Sequence, residues 1–313
     1  MKSILALLLS AIIFVSCQKE LSYQADSAIA NNPSGGGTNP GGGSGASSGT
    51  QLIYYSNKST TNASDSSVIS FTYDASNRLR SYSSIQNDPS QFSTLIRVGA
   101  RLERDTNGRI VRIAQKTPVS SAPPPGMPNL PDTTFYSVHY PSATATLPDY
   151  KIAFIMQQGS ITADSVVYTY NTNGQLITQV TYHGFDAFGS MTYIESVKVE
   201  NAFNADGNLM EQKTYNLLLS PQTPTTVTTY SYSAAVSNRR NPLMIEPTIF
   251  LYLNTPITNA LNDSYTLTDA NGGVARFSGN YVSFNANNLP LRLNATLTSN
   301  GTTRNSIVTF MYR

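Results

Sequence analysis

The chain has 313 residues, 40% hydrophobic and only 12% charged, with 20 Lys and Arg against 18 Asp and Glu. A net charge of +2 supplies neither a basic field for nucleic acid nor an acidic tail, and so low a charged share speaks against long Ala/Glu/Lys/Leu helices. One Cys, two His and no Trp exclude a Cys-built zinc site, a disulfide framework within the chain and a Cys/His dyad in the body; neither metal nor cofactor is expected.

Met1-Lys2-Ser3 is a short basic start, and Ile4 to Val15 is an apolar run broken only by Ser10. As a helix that run rises about 18 Å, short of a hydrocarbon core of about 30 Å, so residues 1–16 read as a signal peptide. Phe14-Val15-Ser16-Cys17 resembles the lipobox of bacterial lipoproteins, with Phe14 where Leu is usual. The resemblance implies that Cys17 is acylated and becomes the first residue of the mature chain, held in a membrane by its acyl chains. Gln18-Lys19-Glu20 resembles the short tract that directs Bacteroidetes-type lipoproteins outward. The implied location is the outer membrane, with exposure at the cell surface as the further implication.

Residues 17–50 follow as a lipid-anchored linker containing NNPSGGGTNPGGGSGASSGT, a stretch without apolar periodicity. About 30 such residues hold a body roughly 30 Å from the lipid. Residues 51–313 then read as one β domain. Short alternating runs such as Val68 to Tyr73, Ser165 to Tyr170 and Ser306 to Tyr312 predict antiparallel strands, each ending in an aromatic residue.

The turns between strands share one frame: Asp or Asn, two residues, Gly or Asn, one residue, then Leu or Ile. It opens at Asp74 (with Asn77), Asp105 (Gly108), Asn171 (Gly174) and Asn204 (Gly207), and more loosely at Asp269 (Gly272) and Asn285 (Asn288). The first side chain can accept from backbone N–H groups two residues on, and the Gly or Asn takes the positive φ of a bulged hairpin. Degenerate turns at Tyr140-Pro141-Ser142 and Tyr232-Ser233-Ala234 fill the wide gaps, giving a period near 32 residues and a last interval of half that length. The expected fold is all-β: an antiparallel meander of about 14–16 strands built from hairpin repeats, curled into a sheet or an open barrel-like shell.

Phe71-Thr72-Tyr73-Asp74-Ala75-Ser76-Asn77-Arg78-Leu79 and Val167 to Leu176 resemble the tyrosine-aspartate (YD) repeat of Rhs-type and teneurin-type proteins, which recurs in many Bacteroidetes lipoproteins. The resemblance spans roughly residues 66 to 313 and implies a long sheet of successive hairpins packed through its aromatic and aliphatic face. The period here is longer than the Rhs unit and no toxin module is present, so that family's closed shell is not part of the expectation.

Motifs that carry chemistry are sparse. Asp105-x-Asn107-Gly108 and Asn204-x-Asp206-Gly207 lack the third oxygen ligand and bidentate Glu of a calcium loop, and hairpin turns explain them. His183, three residues before Asp186, suggests a general base with its orienting carboxylate, for which Ser160, Ser165 or Ser190 could supply a hydroxyl; no nucleophile motif fixes that arrangement. His139 reads as a strand-end side chain. Glu103, Glu195, Glu200, Glu211 and Glu246 read as scattered, solvent-facing positions rather than a paired site. The run Ser121 to Pro128 reads as a stiff return loop, and the loops at 117–132, 184–190, 218–225 and 254–263 are the expected binding surface. The chain therefore reads as a non-catalytic envelope lipoprotein, a ligand-binding or structural surface module for a glycan, a protein or another ligand that the sequence does not identify. The alternatives are a carrier of a hydrophobic ligand in the curled sheet, a hydrolase, and a transmembrane β-barrel.

Overall fold

The computed structural model describes residues 49–62, 65–87, 96–116, 133–157, 160–187, 190–234, 236–237, 239–243, 248, 251 and 260–313. Among them are sixteen strands: β1 (Leu52–Ser59), β2 (Ser66–Tyr73), β3 (Leu79–Asn87), β4 (Ile96–Arg104), β5 (Ile110–Lys116), β6 (Thr133–His139), β7 (Tyr150–Gln157) and β8 (Ser160–Tyr170). The second half comprises β9 (Leu176–Ala187), β10 (Ser190–Phe203), β11 (Leu209–Asn216), β12 (Thr226–Ser231), β13 (Ser264–Asp269), β14 (Val274–Phe284), β15 (Pro290–Ser299) and β16 (Thr302–Tyr312). Each strand pairs antiparallel with the next, and β16 pairs back onto β1 in the register Tyr55↔Phe310 to Ser59↔Ser306. The all-β meander is thus a closed barrel rather than an open shell. Closure satisfies the backbone groups that the two terminal strands would otherwise expose.

Alternation of the connections gives the barrel two distinct rims. The near rim carries both ends of the described body, zipped by Arg313 N–H to Gln51 C=O at 3.0 Å. It also carries the frame turns opening at 74, 105, 171, 204 and 285 and the connections 140–149 and 232–263. The turn opening at Asp269 joins β13 to β14 at the far rim, because its half-length spacing is one strand and its turn.

In each frame the opening side chain accepts two backbone N–H groups, two and four residues on. Asp74 Oδ1 takes those of Ser76 and Arg78 at 2.8 and 2.9 Å, and Asn171 Oδ1 takes those of Asn173 and Gln175, both at 3.0 Å. Asn204, Asp269 and Asn285 repeat the pattern, and Asp105 accepts from Arg109 N–H at 2.9 Å. The fourth residue has positive φ throughout: Asn77 60°, Gly108 83°, Gly174 75°, Gly207 82°, Gly272 79° and Asn288 58°. The closing aliphatic residue of the near-rim turns re-enters the sheet facing inward, and Leu79, Ile110 and Leu209 are wholly buried. Each such side chain contributes about 1.5–3 kcal/mol of hydrophobic stabilisation.

A second repeated device pins the two strands of every far-rim hairpin together at their near-rim ends. A side chain late in, or just after, the even-numbered strand donates to a backbone carbonyl at the start of the odd-numbered one. Tyr73 thus donates to Leu52 at 2.5 Å, Tyr140 to Ile110 at 3.0 Å, Tyr170 to Pro148 at 2.8 Å, Tyr232 to Leu209 at 2.7 Å, Tyr281 to Asn262 at 3.1 Å and Tyr312 to Pro290 at 2.8 Å. In the two remaining hairpins Arg104 reaches Leu79 C=O at 2.9 Å and Asn201 reaches Leu176 C=O at 3.0 Å. Eight latches therefore serve eight hairpins.

Inward-facing Ile69, Phe71, Tyr82, Leu102, Ile113, Tyr168, Val308 and Phe310 form a continuous core. The outward face is mostly polar. Arg112 pairs with Glu103 at 3.6 Å, Lys198 with Glu200 at 2.5 Å and Lys213 with Glu211 at 2.6 Å, and Arg101, Arg276 and Arg292 are exposed on the same face. Its apolar residues include a cross-strand row toward the far rim, Phe154–Ala163–Gly184–Tyr193 on β7 to β10, with Phe154 62% exposed, together with the exposed Phe135 and Val167 and a cluster of Val68, Ile85 and Tyr54.

Candidate functional site

Small inward residues leave space in the lumen. Ala275, Gly279, Ala295 and Ser306 face inward on β14, β15 and β16, and the barrel encloses a cavity of about 530 Å³. Its floor on the near-rim side comes from the β12–β13 connection, through Asn241, Pro242, Leu243, Leu261 and Asn262. Contacts with the barrel fasten that connection, Tyr281 to Asn262 among them. Arg239 stacks its guanidinium over Phe284 at 3.7 Å, Ala260 N–H donates to Asn208 Oδ1 at 3.1 Å, and the wholly buried Leu251 accepts from Lys151 Nζ.

The cavity has two unlike walls. One, from β12 to β16 and β1, is aromatic and aliphatic: Tyr230, Tyr265, Phe277, Leu293, Phe310 and Tyr55. Tyr265 stacks on Phe277 at 5.0 Å, and Tyr55 meets Phe310 edge-on at 5.2 Å. Burial pushes the Tyr265 phenol up to about 12, and those of Tyr55, Tyr230 and Tyr281 higher still, so all four are neutral hydroxyls at ordinary pH. The other wall, from β5 to β12, is rich in amides and hydroxyls: Gln115, Gln179, Thr181, Thr214, Thr226 and Thr228.

The charges in the lumen are already engaged. Lys151, 3% exposed, faces the Tyr136 ring at 4.9 Å as well as the Leu251 carbonyl, and burial lowers its pKa to about 8. Asp164 Oδ1 meets His183 Nδ1 at 2.6 Å, and Arg304 pairs with Asp65. Burial lowers the Arg304 pKa to about 10.

The partner of His183 is Asp164, across the β8–β9 pair, and not Asp186. Asp186 is three residues on along the same strand, which places it on the opposite face of the sheet. Ser165 is likewise turned to the outside, and Ser190 begins β10 at the far rim. His139 ends β6 on the outer face, stacked on Tyr150 at 4.5 Å and 2.7 Å from Asp149. Glu103, Glu195, Glu200 and Glu211 lie on that same face and do not converge.

None of the twelve frame residues lines the cavity; their place is at the rims. Residues 184–187 and 190 belong to β9 and β10 rather than to a loop, and 218–225 joins β11 to β12. Cys17, Ser121 to Pro128, Glu246 and most of 254–263 lie outside the described residues. The lumen residues were missed because each reads as an ordinary strand position. The signal that could have found them is the hairpin register, which sets Asp164 opposite His183.

Among the described residues no group of three His, Cys, Asp or Glu is arranged to hold a metal. No family model and no curated protein sequence matches the chain. Among solved structures the chain is similar to a porin-like protein from Bacteroides uniformis ATCC 8492, with a TM-score of 0.50 and 10% identity, over 85% of this chain and 98% of that one. It is also similar to a porin-like protein from Bacteroides vulgatus ATCC 8482, with a TM-score of 0.44 and 13% identity, over 84% of this chain and 98% of that one. At such identities the likeness is one of fold.

Proposed function

We propose that the chain is a lipid-anchored binding protein of the bacterial outer membrane, without chemistry of its own, whose barrel lumen takes a small molecule. The observation that carries this reading is the cavity of about 530 Å³ above a floor built by the chain itself, within the range typical of ligand pockets. The acylation signal at Cys17 supports the anchor, and both ends of the described body lie together at the near rim.

A transmembrane pore is the competing reading. A membrane barrel needs an apolar outer band about 25 Å tall, and a Lys or Arg at the bilayer midplane costs about 2–4 kcal/mol. Lys198, Glu200, Glu211 and Lys213 occupy the outer face of β10 and β11 within a few residues of the near-rim strand ends, and a membrane barrel would have to hold all four at its interface.

The test is native mass spectrometry of the full chain purified from its membranes, beside the Thr214→Trp variant, which fills the lumen. Discrete adduct masses on the wild type that vanish in the variant support the reading. Absence of any adduct, together with stepwise conductance when the protein is added to planar bilayers, would establish the pore instead.

A further inference from the structure

We propose that the ligand of the lumen is a saccharide of about one or two rings, an assignment that rests on the lumen-binding reading and gives it a chemical class. Three features of the cavity argue for it.

The first is the division of the walls. A sugar ring has an apolar C–H face and a periphery of hydroxyls. The aromatic and aliphatic wall around Tyr265 and Phe277 suits the former, and the amides and hydroxyls on β9, β11 and β12 suit the latter. The second is that these polar groups are available. Gln179, Thr214, Thr226 and Thr228 make no side-chain hydrogen bond among the described residues, and Thr214 stands opposite Thr226 across β11 and β12. Gln179 and Thr214 lie on either side of Val199 on β10, so the polar groups sit on neighbouring strands with one apolar residue between them. A Gln amide and a Thr hydroxyl each donate and accept, as does every hydroxyl of a sugar.

The third is electrostatic. Arg304 and His183 face Asp65 and Asp164, whereas Lys151 is held by the Leu251 carbonyl and the Tyr136 ring. An acyl chain fits worse than a sugar, because it would strip water from the polar groups without replacing its hydrogen bonds.

The experiment is titration calorimetry of the full chain in detergent with maltose, cellobiose and chitobiose, and with lauric acid as an anionic acyl-chain probe, each up to about 10 mM. At least one disaccharide is expected to bind with measurable heat. Its affinity is expected to fall about tenfold in Thr214→Val and in Gln179→Met, and to persist in Tyr215→Phe on the outer face. Denaturant midpoints of the variants confirm that they fold. Saccharide binding unchanged in both lumen variants, or no binding by any of the three, overturns the assignment. Lauric acid binding that is lost in Thr214→Trp, without saccharide binding, overturns the saccharide while leaving the lumen-binding reading intact.

Discussion

The Tyr312 hydroxyl, on the last strand, donates to the carbonyl of Pro290 at 2.8 Å, and both residues are buried. It is the final member of the ring of eight latches, and it fastens the strand that closes the barrel against β1. Tyr312→Phe keeps the ring and removes the donor, leaving a buried carbonyl without its partner. A loss of about 1–2 kcal/mol is expected, read as a lower urea midpoint at constant slope. Tyr170→Phe is expected to lose a similar amount. Tyr215→Phe, which removes a half-buried contact to Glu200 on the outer face, is expected to lose under about 0.5 kcal/mol. Equal midpoints for all three would show that the latches contribute nothing specific.

Gly272 sits at φ 79° with open space where a Cβ would stand, so its backbone conformation alone resists substitution. Gly272→Ala is expected to cost about 1–2 kcal/mol, and Gly272→Asn clearly less, as the Asn at the same frame position in Asn77 and Asn288 implies. Thermal or urea unfolding of the pair measures the difference; an Ala variant as stable as wild type would refute the requirement for positive φ.

Stability is expected to rise between about pH 8 and pH 10 and then to fall. Lys151 has a folded pKa of about 8 against an ordinary value of 10.5, so across that interval the unfolded chain binds more protons and alkali favours the folded state. The full window is worth about 3 kcal/mol. Below it Lys151 is charged in both states and its burial penalty is constant. The buried phenols have the opposite sign: Tyr265, raised from 10.0 to about 12, keeps its proton in the fold where the unfolded chain loses it, so stability declines above pH 10. Urea midpoints across this range check the profile, and Lys151→Met is expected to remove the rise and keep the fall.

On the lipid-anchored reading, the barrel is expected to reach membranes only through the anchor. Cys17→Ala is expected to move the protein into the soluble fraction without detergent and to abolish labelling by a clickable fatty acid. Cleavage by protease within residues 31 to 50 of the wild type is expected to release the body intact. A body that stays with the membrane through alkaline carbonate after that cut spans the bilayer.

The positions of the reversals were legible because they are set within a few residues: an Asp or Asn side chain that accepts from its own turn and a residue that tolerates positive φ, as in Asp74 with Asn77. The aromatic residue before the turn was visible too, at Tyr73 and Tyr170, but its task was not. Arg104 and Asn201 perform the same latch with different chemistry, so no sequence pattern contains all eight. The lumen was illegible for a related reason: Lys151, Asp164 and His183 each look like any strand residue until the strand register and the wall opposite are known.

By itself, then, the sequence determined an all-β chain of hairpins punctuated by one recurring turn, since those choices are local in backbone conformation. Only the tertiary structure decided that β16 meets β1, which side chains face inward, and that the β12–β13 connection closes one end. Those outcomes depend on contacts between residues as distant as Gln51 and Arg313, whose pairing emerges only when the accumulated twist and stagger of sixteen strands bring the edges together.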